Sequence, residues 1–159
     1  MLQDGVSAAR DLSQVVLAPL DVPGRRIHPR LQAQGLQEAG SGFHMPYGSD
    51  SVQLFRLLAE QNIRMANDQA SLDEAAVACG LDRYRMEKGA YPERLSDLAI
   101  PLPADLIGGQ PLHYRRTAEG GYMLYSVGWN ARDDGGTPGQ GKNAWTQGDW
   151  VWTIAGNRE

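Results

Sequence analysis

Leu112-His113-Tyr114-Arg115-Arg116-Thr117-Ala118-Glu119-Gly120-Gly121-Tyr122-Met123-Leu124-Tyr125-Ser126-Val127 is the stretch on which the fold turns. Leu112 to Thr117 and Tyr122 to Val127 alternate and are rich in aromatic and branched residues, and Ala118-Glu119-Gly120-Gly121 supplies the turn of a hairpin. Asp149 to Ile154 reads as a third strand, with Trp150 and Trp152 on one face and Val151 and Thr153 on the other. Three short strands are not stable alone, so their apolar side requires a helix to lie on.

That helix is upstream. From Asp50 to Lys88, Val52, Phe55 and Leu58, with Leu54 and Leu57, repeat at three and four residues, as a buried face requires. Ser71-Leu72-Asp73-Glu74 has capping-box spacing, so either a helix begins at Ser71 or one long helix runs through it. Leu72, Ala75, Ala76, Cys79, the stem of Arg83 and Met86 then form a stripe of mainly small side chains that another element can approach closely. Gly89 suits the left-handed position after a helix, and Pro92 prevents continuation. A short turn or helix follows at Glu93 to Leu98, and Pro101 and Pro103 mark a crossing segment. The predicted core is Leu72, Ala76, Cys79, Met86, Leu95, Leu112, Tyr125 and Val127. The order of elements predicts an α+β fold, a long helix (51–88) packed on a small antiparallel sheet (111–154), within a domain covering 51–159.

Residues 1–50 form a less regular, partly ordered N-terminal segment. A weak helical pattern covers Val6 to Leu17 and ends before Pro19. Asp21 to Arg30, with Pro23, Gly24 and Pro29, and Ser41 to Ser49, with Gly42, Pro46 and Gly48, read as loop.

Composition excludes several classes of function. The 159 residues suffice for one domain with a real core. At 42% hydrophobic and 21% charged, the chain is globular in composition. Its 15 Lys+Arg against 19 Asp+Glu give a formal net charge of −4, against a general nucleic-acid binder. Cys79 is the single cysteine, which precludes an internal disulfide. The longest apolar run, Val15 to Leu20, includes a proline and is too short to span a bilayer. Met1-Leu2-Gln3-Asp4 opens no signal peptide, so an anchor or export signal is expected outside this chain or not at all.

Gly128 to Gly148, between the second and third strands, is long for a loop without secondary structure, and such loops tend to be functional or mobile. It carries Gly128, Gly135, Gly136, Gly139, Gly141 and Gly148, so fixing it costs entropy that something must offset. One device is burial of Trp129 and Trp145. Another is a cation held by Asn130, Asp133, Asp134 and Asp149 with backbone carbonyls, since calcium takes oxygen ligands in flexible geometry. A third reading makes Asp133-Asp134-Gly135-Gly136 a solvated turn. The Asp-x-Asp-x-Asp-Gly pattern of an EF-hand is absent, and Arg132 and Lys142 dilute the negative field.

Other motifs lead nowhere. Gly136 to Asn143 nearly spells a phosphate-binding loop, but Asn143 replaces the Mg²⁺-binding hydroxyl and Pro138 interrupts it. His28, His44 and His113 are scattered, without zinc-ligand spacing. Ser126 lies in Tyr-Ser-Val-Gly, not in a nucleophile elbow. Cys79 reads as packed rather than nucleophilic. Arg115 and Arg116 are neighbours on a strand and face opposite ways. No enzyme is expected.

Leu81-Asp82-Arg83-Tyr84-Arg85, Gly89-Ala90-Tyr91-Pro92-Glu93-Arg94-Leu95, Gly109 to Arg116, Tyr122 to Gly128, Asp133-Asp134-Gly135-Gly136 and Gly148-Asp149-Trp150-Val151-Trp152 occur in an informative order. The set resembles the C-terminal module of uncharacterised bacterial envelope proteins. More distantly, it is similar to the globular domain of the major pseudopilins of type II secretion. The resemblance covers about Leu72 to Ile154. It implies a helix packed on a small antiparallel sheet, subunits that stack into a short fibre, and calcium bound in the loop before the last strand. Matched by motif, Asn130 takes the place of an acidic ligand and Asp149 that of the acid opening the last strand, with Asp133 and Asp134 between them. The chain departs from the family at its start: Gly42-Phe43 superficially matches a prepilin processing site, but Tyr47 stands where its glutamate belongs. Arg56, Glu60, Asn62, Arg64, Asn67 and Asp68 suit the helix to solvent or a protein neighbour rather than lipid.

The resulting expectation is a non-enzymatic, pseudopilin-like structural or assembly module of a cell-envelope or secretion-related protein. It implies a periplasmic or envelope location, protein partners or self-assembly, no nucleic acid, no membrane segment in this chain, and a calcium-stabilised loop. The alternative is a ligand-binding module in which Trp129, Trp145 and Trp150 form an aromatic surface for a glycan or peptide. A hydrolase using Asp133, Asp134 and Asp149 as acid/base groups is the third reading.

Overall fold

A computed structural model describes residues 9–41 and 48–156. Its elements run from a helical turn at 9–12 into a π-helix at Ser13–Leu17, then β1 (Leu20–Asp21), β2 (Arg26–Ile27), α1 (Pro29–Ser41) and α2 (Gly48–Lys88). After a 3₁₀ turn at Leu95–Asp97 come β3 (His113–Arg116), β4 (Tyr122–Ser126), a second 3₁₀ turn at Gly141–Asn143, and β5 (Trp150–Ile154). The fold is α+β, a long helix with small antiparallel sheets and an irregular N-terminal segment. Two compact units, Met1–Met65 and Ala66–Glu159, divide within α2. None of the described helices is long and apolar enough to cross a membrane.

In the first unit, Leu20 pairs with Ile27 and Asp21 with Arg26. The Gly24 N–H donates to Asp21 Oδ1 at 3.0 Å, closing this small hairpin where sequence indicated only loop. Pro29 then opens α1, a helix the sequence reading missed. Proline suits a first helical position, where its absent N–H has no bond to make. Val15, Ala39, Phe55 and Ala59 form this unit's apolar cluster. Gln32 and Asn62 are buried beside it and satisfied: Asn62 Nδ2 donates to Gln32 Oε1 at 2.8 Å and to the Val16 carbonyl at 3.1 Å. Gln32 Nε2 donates to the Ala59 carbonyl at 3.0 Å. Residues 42–47 of the expected Ser41–Ser49 loop, and 6–8 of the expected first helix, lie outside the described residues.

In the second unit, α2 passes Ser71 without interruption, so the capping-box spacing there does not start a helix. It ends at Lys88, with Gly89 at φ +83°. Strand order is β3-β4-β5, all antiparallel, with His113 opposite Tyr125, Tyr122 opposite Ile154 and Ser126 opposite Trp150. This register puts Tyr122, Leu124, Ser126, Trp150 and Trp152 on one face. Val77, Ala78 and Leu81 of α2 pack with Tyr122 and Leu124, joined by Tyr91, Leu95, Leu98 and Leu112.

The buried stripe of α2 differs from the expected one. Leu72 and Met86 are 65% and 86% exposed, and Ala76 and Cys79 also face out. Buried instead are Ala66, Ala70, Glu74, Val77, Ala78 and Leu81. Both sets recur at helical spacing, and the choice went to the one that meshes with the large inward side chains of β4. Leu95, Leu112, Tyr125 and Val127 are buried as expected.

Candidate functional site

The loop from Gly128 to Gly148 is fixed by carboxylates that accept its own backbone N–H groups. At its start, Gly128 has φ +65° and its Cα faces the Gly148 carbonyl so closely that a Cβ has no room. The two ends of the loop thus meet through glycine. Thr137 accepts the Asp149 N–H at 2.9 Å, and Pro138 bridges to Asp149 in parallel register, so the middle of the loop lies along the start of β5.

Asp149 organises the turn. It is 1% exposed, and its carboxylate accepts the Gly136 N–H at 2.6 Å and the Asp134 N–H at 3.2 Å on each oxygen. Asp133 turns the other way. Its Oδ1 accepts the Gly135 N–H at 2.9 Å and the Tyr125 hydroxyl at 3.2 Å, while Oδ2 lies 3.5 Å from His113 Nδ1. The Gly135 N–H holds the Asp133 carboxyl below its usual range against the opposing effect of burial, with the Tyr125 hydroxyl and His113 adding to the lowering. His113 stacks on Tyr125 at 4.8 Å, which seats the turn on the outer face of the sheet. Asn130 Nδ2 donates to Asp134 Oδ2 at 2.7 Å, its Oδ1 accepts the Arg132 N–H at 3.0 Å, and Arg132 Nε lies 3.4 Å from Asp134 Oδ1.

Three of the four residues assigned to a cation therefore share the loop and Asp149 directly follows it, but their oxygens address N–H groups, the Tyr125 hydroxyl, His113 and Arg132. Among the described residues, no three His, Cys, Asp or Glu side chains converge on a common point. As arranged, these side chains do not form a calcium cage.

A second buried acid system lies beneath the sheet end and was missed from sequence. Asp105, 2% exposed, accepts from the Ile107 N–H at 2.9 Å, the Ser126 hydroxyl at 2.9 Å and the Val127 N–H at 3.0 Å. Ser126 Oγ in turn accepts the Gly128 N–H at 3.2 Å. The signal was Asp105-Leu106-Ile107-Gly108-Gly109, an acid two residues ahead of the amide it caps and followed by glycines. Glu74 is 3% exposed and its Oε1 has no hydrogen-bond partner. Burial pushes its carboxyl up to about 8; the Ser126 backbone N–H opposes this, and the charges of Asp105 and Asp73 add to it. Helical spacing offered no warning that a glutamate would sit on the sheet side.

Beside Glu74 is a cleft of about 260 Å³ lined by residues that include Ser71, Trp145, Asp149, Trp150 and Trp152. Of the tryptophans proposed as an aromatic surface, Trp145 and Trp150 meet here, while Trp129 is half-buried and not part of the lining. Trp152 takes its place. Trp145 is 53% exposed at the rim, and Trp150 is 6% exposed with its indole N–H unpartnered. Comparison with family models, curated proteins and solved structures returned no match.

Proposed function

We infer that the chain is a non-enzymatic structural or assembly module of a bacterial cell-envelope or secretion-related protein. The observation that carries the reading is the fixation of the Gly128–Gly148 loop on the sheet by Asp149, the residue that the pseudopilin resemblance puts at the opening of the last strand. A loop held this way presents a defined edge beside β5, which suits contact with a protein neighbour or a second copy of the chain. The exposed Leu72 and Met86 of α2 add apolar surface for such contacts. The periplasmic or envelope location rests on the resemblance alone.

Calcium enters this reading as a competing arrangement of the same loop. To bind it, Asp134 turns from Arg132 and Asn130, and Asp133 from Gly135 and His113, so that their oxygens face one ion with Asp149. Thermal melts with calcium and with chelator test this, because an ion that binds only the folded state raises Tm with its concentration. A rise that Asp149→Ala abolishes supports the metal; identical melts leave the loop to its N–H bonds alone. Sedimentation across a concentration series tests the assembly role. Self-association weakened by Leu72→Glu, or a partner retained by the native chain and released by that variant, supports it. A monomer that binds no envelope protein overturns it.

A further inference from the structure

We propose that the cleft between α2 and β5 is a binding site for a single neutral sugar ring. This goes beyond the structural role above and does not depend on it. The walls are Trp150 and Trp152, and Trp145 stands half-exposed at the rim, where an indole face is free to stack on the C–H face of a pyranose. The volume, about 260 Å³, lies just under the range of drug-sized pockets, which suits one ring rather than an extended chain.

The polar groups select the class. None of the described lining residues is Lys, Arg or His, and Glu74 and Asp149 both belong to the lining, so nothing there attracts a phosphate or carboxylate. Asp149 is already engaged by the Gly136 and Asp134 N–H groups. Glu74 Oε1 and the Trp150 indole N–H are different: each is buried and has no hydrogen-bond partner. Groups left so are costly, and a ligand that completes their bonds recovers that cost. Burial holds Glu74 in its neutral form, so an organic cation finds no charge to pair with at that side chain. A sugar hydroxyl both donates and accepts, so a ring carrying several hydroxyls offers a partner to an acid and to an indole N–H alike. Both atoms are covered, so ligand entry involves small side-chain rotations. Ser71 adds a further hydroxyl to the lining.

The test is titration of the full chain with glucose, galactose and N-acetylglucosamine, and separately with choline, followed by tryptophan fluorescence and by the indole N–H resonances. The expected result is a saturable response to at least one sugar, with the Trp150 indole N–H shifted downfield. Trp145→Ala, at a half-exposed position and checked for folding by circular dichroism, weakens that response at least tenfold. Glu74→Gln keeps a donor and an acceptor in place and retains binding, whereas Glu74→Leu, checked for folding by circular dichroism, loses it. No saturable response to any of the three sugars overturns the proposal, as does a response to choline alone or sugar binding that is indifferent to Trp145→Ala.

Discussion

The Gly136 N–H donates to the buried carboxylate of Asp149 at 2.6 Å, the shorter of the contacts by which one side chain at the start of β5 holds a turn well upstream of it. A charged acceptor taking several amide donors makes stronger bonds than a neutral one, and its removal leaves those donors buried without partners.

Asp149→Ala is therefore expected to destabilise the second unit by about 2–4 kcal/mol, and Asp149→Asn, which keeps one acceptor oxygen, by about half as much. Denaturant melts measure both. Hydrogen exchange gives the local signature: the Gly136 and Asp134 amides lose protection before the β4 amides do.

Glu74 governs the pH dependence. Its carboxyl is raised to about 8 in the folded chain from its ordinary 4.5, so the folded state holds a proton that the unfolded state has released between those values. The stability that goes with the neutral acid is full below about 4.5, declines as pH rises toward 8, and is lost above it. The slope from this group approaches about 1.4 kcal/mol per pH unit at most. Glu74→Gln, a permanent mimic of the neutral form, is expected to flatten the decline and to be more stable than the native chain at pH 8. Urea melts from pH 5 to 9 check this, and equal slopes in the two proteins would disprove it.

Asp105 accepts three donors and Ser126 supplies one of them. Asp105→Ala strands the Ile107 and Val127 amides as well as the Ser126 hydroxyl, and is expected to cost about 3–5 kcal/mol. Ser126→Ala removes its own hydroxyl and the acceptor of the Gly128 N–H, for about 1–2 kcal/mol. The double variant should cost less than the sum, since the two changes share a bond.

Two glycines separate backbone strain from crowding. Gly141 has φ +63° with open space where a Cβ would stand, so Gly141→Ala is expected to cost about 1–2 kcal/mol from conformation alone. Gly128 has a similar φ, +65°, but its Cβ would meet the Gly148 carbonyl of the returning chain. That oxygen belongs to the backbone and cannot swing aside, so Gly128→Ala should cost at least twice as much by thermal melt. Equal costs would show that the loop ends are free to separate.

Much of the second unit was legible because its signals are local. Alternation in 112–127, the Glu119-Gly120-Gly121 turn and the stop at Gly89 act within a few residues, and the hairpin and the helix end lie where they indicate. Strand formation at 149–154 followed from the same alternation. Helix α1 was hidden by reading Pro29 as a loop residue when it marks a helix start. Grouping Asn130, Asp133 and Asp134 in one loop was also legible, because they lie within five consecutive residues. What each oxygen faces was not: that depends on where the returning chain sets the Asp134 and Gly136 amides.

Residue order by itself determined the α+β class, the hairpin, the strand faces and the end of the long helix, since each follows from backbone preferences and side-chain periodicity over a short span. Only the tertiary structure decided which side of α2 is buried, that Glu74 lies on it with an unpartnered oxygen, and that Asp149 and Asp105 are acceptors of backbone amides. A helix can carry two apolar stripes of equal period, and a carboxylate can serve water, a cation or an amide. Both choices are made by the surface that arrives from elsewhere in the chain, through its shape and its unpaired hydrogen-bond donors.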